Sequence, residues 1–212
     1  MRVLIIEDDP YGELYFEDVA AAAETRPLKA DDRNGRVIYL STFSKTLAPG
    51  FRVAWVAAPA ALVDRFDTAK QSMDLMCGIL DQRVVHQSIV RGVLDRQAAP
   101  LRALYRKRRD VMERVLREQF GDRLSWTQPK GGFFLWAALP PGFDCETLLA
   151  KALEHGVLFV IGSAFCVDGS GHDRVRLSFS WPTPERMREG TRRLAAAMHV
   201  EDAHASGGRR TS

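Results

Sequence analysis

Over the first sixty positions the apolar residues come in short unbroken runs, not in helical stripes. Val3-Leu4-Ile5-Ile6 ends in acids, Val37-Ile38-Tyr39-Leu40 follows a polar stretch, and Arg52-Val53-Ala54-Trp55-Val56-Ala57 follows a glycine and a phenylalanine. A short apolar run without alternation reads as a strand covered on both faces, as in a parallel sheet. The first run is therefore expected to be a buried parallel strand. The segment from 41 to 51 lacks helical periodicity and contains Pro49 and Gly50. A parallel return would need a crossover, usually a helix, so the third strand is expected to run antiparallel to the second.

From Ala60 the pattern becomes helical. Helices are predicted from Ala60 to Lys70, after Pro59, from Gln82 to Gln97, ending near Pro100, and from Leu101 to Gln119. In the last of these, Leu101, Leu104, Val111, Val115 and Leu116 form one stripe. A boundary is expected near this helix. Beyond it the pattern predicts strands at Phe133–Ala137, Leu158–Ile161 and Arg174–Ser180, and helices at Cys145–Glu154 and Pro184–Met198. The fold class is α/β. Residues 1–100 would form part of a mostly parallel large-domain sheet, 101–200 a small α/β domain, and 201–212 a disordered tail. A strand that starts at residue 2 needs neighbours, which suggests that an N-terminal portion is lacking.

Composition narrows the partners. A net charge of +3 with 27% charged residues gives no ground for a nucleic-acid or membrane surface. The arginine-rich helix also carries Asp110, Glu113 and Glu118, with Tyr105 as its one aromatic, so it reads as a solvated helix joining two domains. The opening apolar run is too short for a signal peptide, and no run reaches the ~18 residues of a membrane span. Cys77, Cys145 and Cys166 are odd in number and widely spaced, which argues against a disulfide framework and favours a reducing cytoplasm. His86, His155, His172 and His199 have no ligand spacing, so no metal is expected.

Three segments carry candidate chemistry. In Ser41-Thr42-Phe43-Ser44-Lys45-Thr46-Leu47-Ala48-Pro49-Gly50-Phe51-Arg52, a lysine sits just past a strand, with hydroxyls at Thr42 and Ser44 and a guanidinium at Arg52. A phosphate ester needs hydroxyl donors and a fixed positive fork, and an aldehyde needs an amine within covalent reach. In Ile6-Glu7-Asp8-Asp9-Pro10-Tyr11-Gly12-Glu13-Leu14, acids end a strand where open α/β sheets bind ligands; a plain acidic turn is the alternative. Arg174 and Arg176 alternate with apolar residues, so both point to one face of a strand. An arginine fork suits a substrate carboxylate, although a pair of surface arginines has the same periodicity.

The strings EDDPYGEL, STFSKTLAPGFRVAW, PKGGFFLW and RVRLSFS resemble class I/II aminotransferases dependent on pyridoxal 5′-phosphate, of fold type I. The likeness runs from about residue 2 to about 198 and is greatest to the subgroup containing 2-aminoadipate and kynurenine aminotransferases. The resemblance implies that Lys45 is the Schiff-base lysine, that Asp8 faces the pyridine nitrogen with Asp9 as second choice, and that Tyr11 binds the 3-oxygen. It implies Thr42, Ser44 and Arg52 as the phosphate cup. Arg176, with Arg174 as second choice, would hold the substrate α-carboxylate.

The same resemblance implies transamination between an amino acid and a 2-oxo acid, usually in a homodimer. It also implies that only the C-terminal half of such an enzyme is represented. The other half would carry the glycine-rich turn that binds the phosphate and the aromatic ring that stacks on the cofactor. Two other readings share these strings. One is the C-terminal half of a transcription regulator that joins a winged helix to an aminotransferase-like domain. The other is an inactive aminotransferase remnant.

Overall fold

The computed structural model describes residues 3–16 and 25–207, with side chains described as far as 199. The chain divides into two compact units, 1–104 and 105–212, and the division falls inside a helix.

The first unit contains a three-stranded sheet of β1 (Ile5–Asp8), β2 (Val37–Thr42) and β3 (Ala54–Ala57), in that order. β1 runs parallel to β2, with Ile5 opposite Val37 and Asp8 opposite Leu40. β3 returns antiparallel, as the absent crossover predicts, with Thr42 opposite Ala54. The reversal uses a turn in which the amides of Leu47 and Ala48 both donate to the Phe43 carbonyl, at 2.9 and 3.1 Å. A single 3-10 turn, Pro49–Phe51, completes it.

β1 is not buried, contrary to the expectation from its apolar run. It lies two residues later than that run, and Ile5 and Ile6 are 45% and 67% exposed. An apolar run specifies an extended chain that gains by being covered, but the cover has to be packed on it. Polar groups hold β1 and β2 in place instead. Glu7 accepts the amides of Leu28 and Lys29 at 2.7 and 2.8 Å. Asp32 accepts the amides of Arg36 and Val37, each at 2.9 Å, and the Lys29 ammonium at 2.9 Å. The Arg36 and Val37 amides hold this carboxyl well below the usual carboxylate range, and the Lys29 ammonium adds to the effect.

Three helices follow: α1 (Ala60–Met73), α2 (Ile79–Val90) and α3 (Val93–Phe120). The predicted break near Pro100 falls elsewhere. Gly92, at φ 63, separates α2 from α3, and α3 continues through Pro100. Glycine takes the left-handed conformation without a Cβ clash and so ends α2. An interior proline costs about 3 kcal/mol. Here Pro100 and Arg96, whose carbonyl loses its donor, are both exposed residues, so the lost bond falls on the solvent side of the helix and not in a core.

The second unit contains an antiparallel sheet ordered β4-β5-β7-β6, from β4 (Ser125–Trp126), β5 (Phe134–Ala138), β6 (Val160–Ile161) and β7 (Arg174–Ser178). Two helices, α4 (Cys145–Glu154) and α5 (Pro184–Gly207), complete it. Asp144 caps α4 by accepting the amides of Glu146 and Thr147 at 3.1 and 2.9 Å. The α5 helix extends to Gly207, into the segment expected to be a disordered tail; 208–212 lie outside the described residues. Alternation along β5 and β7 buries Leu135, Ala137, Val175 and Leu177 on one face.

The part of α3 in this unit is not simply a solvated arginine helix. Arg109 and Glu113 are buried beside Met112 and Leu116. Arg109 donates to the Pro129 carbonyl at 2.8 Å. Glu113 accepts from Trp126 Nε1 and Gln128 Nε2, each at 3.0 Å. A buried carboxylate persists because both oxygens have donors. Of the cysteines, Cys145 is the buried one; Cys77 and Cys166 are half-buried, not the core residues their small size suggests.

Candidate functional site

The acids at the end of β1 have three different surroundings. Glu7 is used by the Leu28 and Lys29 amides, as described above. Asp9 accepts from the Tyr39 hydroxyl at 2.8 Å, and its carbonyl accepts from Ser41 Oγ at 2.9 Å. Asp8 is exposed and lies opposite Leu40, so the two-residue alternation places it on the same sheet face as Thr42. Asp9 is thereby turned to the other face. It lines a cavity of about 310 Å³ together with Tyr39, Ser41 and Trp55, and Thr42 at the end of β2 and Thr46 in the turn after it reach the same cavity. Neither Asp8, Tyr11 nor Lys45 lines that cavity.

Burial, then the hydrogen bond to Asp9 and its charge, push the Tyr39 hydroxyl up to about 12. The Tyr39–Asp9 pair was not anticipated from the sequence. Its signal was available in the strand register, because Tyr39 and Asp9 share a parity once β1 and β2 are paired in parallel.

Lys45 sits half-buried in the turn directly after β2. Its ammonium lies 5.8 Å from the centre of the Tyr11 ring. Thr42 Oγ1 is 3.0 Å from Ser44 Oγ and accepts the Ser44 amide at 3.1 Å. The strand end and the turn thus place two hydroxyls side by side next to the lysine. Arg52 is exposed and adopts a left-handed backbone, φ 53 and ψ 32, while its guanidinium donates to the Pro49 carbonyl at 3.3 Å. For a residue with a Cβ this conformation costs about 1–3 kcal/mol, and such outliers cluster where a side chain must be aimed.

Arg176 belongs to the second unit. Its guanidinium lies between two aromatic rings, 4.1 Å from the centre of Phe134 and 4.5 Å from that of Phe165. Its Nε is buried without a hydrogen-bond partner among the described residues. Arg174 shares its face, as the alternation predicts, but ion-pairs with Asp173 at 3.4 Å. Phe134 belongs to the PKGGFFLW string, and β5 pairs it with Ser178, two positions from Arg176. Phe165 comes from a separate 3-10 turn, Gly162–Phe165, and carries no sequence signal of this role.

A family model for class I and II aminotransferases matches residues 1–194. The aromatic-amino-acid aminotransferase 1 of Thermococcus litoralis is 41% identical over 93% of this chain and 46% of its own. A solved structure of the α-aminoadipate aminotransferase of Thermus thermophilus, complexed with N-(5′-phosphopyridoxyl)-L-leucine, superposes with a TM-score of 0.85 at 35% identity. The match covers 94% of this chain and 51% of that one. An uncharacterized HTH-type transcriptional regulator of Bacillus subtilis, YdfD, is 31% identical over 88% of this chain and 37% of its own. The chain spans about half the length of the aminotransferases it matches. It belongs to the class I and II aminotransferases.

Proposed function

We propose that this chain carries the cofactor-binding lysine of an aminotransferase that moves an amino group between an amino acid and a 2-oxo acid, with pyridoxal 5′-phosphate as cofactor. The observation that carries the proposal is the placement of Lys45 beside the Thr42–Ser44 hydroxyl pair, with its ammonium 5.8 Å from the Tyr11 ring centre. When bound, this cofactor supplies an aldehyde for the amino group and a protonated ring that withdraws electrons from the substrate Cα.

The residues present suit such a group. Lys45 Nζ would hold the aldehyde carbon covalently, and once released would move the proton at the substrate Cα. Thr42 and Ser44 would donate to the phosphate, and Arg52 would supply the charged fork. Asp8 would hold a proton on the ring nitrogen, and Tyr11 would donate to the ring oxygen. The register supports Asp8 over Asp9, because the Asp9 carboxylate is engaged by Tyr39 on the opposite face. In the second unit, the unpartnered Nε of Arg176 supports that residue over Arg174 as the one that binds a substrate carboxylate. Among the described residues no helix is long and apolar enough to cross a membrane.

The test is chemical trapping. Pyridoxal phosphate is added to the purified chain, borohydride reduces the adduct, and peptide mass mapping locates the label. A single label on Lys45 is expected, with its loss in Lys45→Ala. A label confined to another lysine, or no label, would refute the assignment. The regulator reading is second, favoured by the likeness to YdfD and to other HTH-type regulators at lower identity than the aminotransferases.

A further inference from the structure

We propose that Asp9 is the positioning residue for Asp8 and Tyr11, and that it acts by tying the end of β1 to β2 through Tyr39 without touching the cofactor. The inference rests on the proposed roles of Asp8 and Tyr11 and adds a residue to which that reading gives no task. Three groups of Asp9 are held by three consecutive residues of β2. Its carboxylate accepts from the Tyr39 hydroxyl at 2.8 Å, its amide donates to the Leu40 carbonyl at 2.9 Å, and its carbonyl accepts from Ser41 Oγ at 2.9 Å. β1 ends at Asp8, so the two hydroxyl bonds carry the pairing one residue past the end of the strand. Tyr39 is braced in turn by Trp55 of β3, with ring centres 5.1 Å apart.

Gly12 shows that the Asp9 carboxylate has a fixed place. A Cβ at residue 12 would overlap Asp9 Oδ2 and come within 2.8 Å of Oδ1, so the carboxylate lies against a backbone that only glycine leaves open. The residues after Gly12 are anchored as well. The Leu14 amide donates to the Tyr11 carbonyl at 2.7 Å, and Leu14 is buried. Arg102 donates to the Glu13 carbonyl at 3.0 Å, and its guanidinium lies 3.7 Å from the centre of the Tyr15 ring. Tyr11 is therefore carried on a short turn pinned at Asp9 before it and at Glu13 after it. Asp8 shares a peptide bond with the first pin. Misplacing a contact by about 1 Å can cost on the order of 100-fold in what it supports, so the Asp9–Tyr39 bond acts at a distance from the groups it serves.

The experiment is a double-mutant cycle on the full chain, with Asp9→Ala, Tyr39→Phe and both together, alongside Asp9→Asn and Gly12→Ala. Without cofactor, NMR reads the nuclear Overhauser contact between the Lys45 side chain and the Tyr11 ring, whose ammonium and centre lie 5.8 Å apart, and the exchange rate of the Leu14 amide. With pyridoxal phosphate, an absorbance titration reads the dissociation constant, and isotope-labelled cofactor reads protonation of the ring nitrogen. Asp9→Ala, Tyr39→Phe and the double variant should each weaken the Lys45–Tyr11 contact, speed Leu14 exchange and raise the dissociation constant about tenfold, the double no more than either single. Gly12→Ala should do the same, because its methyl group displaces the carboxylate. In Asp9→Asn the amide oxygen still accepts from Tyr39, so binding should stay within about threefold of wild type and the ring nitrogen should keep its proton.

Urea midpoints identify a variant that does not fold; the near-isosteric Asp9→Asn and Tyr39→Phe then carry the test. If Asp9→Asn is as damaging as Asp9→Ala, the charge of Asp9 acts on the cofactor directly and the proposal is overturned. Additive effects in the double variant, or a Tyr11 turn unmoved by every substitution in the free chain, also overturn it. A wild-type chain that binds no pyridoxal phosphate refutes the cofactor assignment, and the cycle on the free chain then decides by itself whether Asp9 holds the Tyr11 turn through Tyr39.

Discussion

Arg176 provides the sharpest test of whether its surroundings serve stability or ligand binding. Replacing it by methionine removes two cation–aromatic contacts, at 4.1 and 4.5 Å from the ring centres. Each such contact contributes about 0.5–2 kcal/mol. The same replacement removes a buried, unpartnered Nε, whose desolvation costs about 1–3 kcal/mol. Methionine has an unbranched, polarizable side chain that can stay between the rings, and sulfur–aromatic contacts return roughly 0.3–1.5 kcal/mol each. The opposing contributions nearly cancel, so Arg176→Met should change unfolding free energy by no more than about 1 kcal/mol.

Arg176→Ala keeps the relief of the Nε but leaves a gap between Phe134 and Phe165, and should cost about 2 kcal/mol. Urea unfolding of the three proteins measures these differences. A carboxylate ligand such as 2-oxoglutarate should stabilise wild type by about 1.4 kcal/mol at ten times its dissociation constant, and should leave Arg176→Met unchanged. If Arg176→Met lost more than about 2 kcal/mol, the arginine would be part of the folding core and its assignment to a carboxylate site would fail.

Further expectations concern other polar groups. Glu113→Ala removes two charge-assisted acceptors from the Trp126 and Gln128 donors and should cost about 3 kcal/mol; in Glu113→Gln the remaining oxygen and a flipped Gln128 amide keep the loss near 1 kcal/mol. Equal urea midpoints for the two variants would contradict this account. Asp32 has a lowered folded pKa, so its contribution is present above the unfolded value of about 3.9 and is lost as pH falls through the folded one. Acid titration of stability should therefore be shallower in Asp32→Asn than in wild type. Tyr39 is raised, so its contribution is present below about 10 and lost as pH rises towards about 12. Asp9→Asn should bring the phenolate absorption midpoint down towards, but not to, 10, because burial remains as the largest cause; an unchanged midpoint would break the link between the two residues.

Sequence alone determined what depends on covalent spacing. The hydroxyls of Thr42 and Ser44, the lysine after them and the strand before them are neighbours along the chain, and a turn after β2 is enough to gather them. The antiparallel return of β3 was legible for the same reason, since a short link without a helix permits little else. The same-face placement of Arg174 and Arg176 followed from the two-residue period of a strand.

Tertiary structure decided whatever depends on groups distant in sequence. Spacing along the chain does not separate three adjacent acids, and the choice of Asp8 came from resemblance; in the structure the Leu28 and Lys29 amides engage Glu7 and Tyr39 engages Asp9, which leaves Asp8 on the Thr42 face. Gly92 stops a helix where periodicity favoured Pro100, because a proline can be tolerated when the lost bond falls on the solvent side of the helix. Arg109 and Glu113 read as surface charges and are buried, because Pro129, Trp126 and Gln128, in the segment that follows the helix, fold back onto them. The apolar run of β1 expresses a need for cover, but burial is a property of what packs against a strand, and that cannot be read from the strand itself.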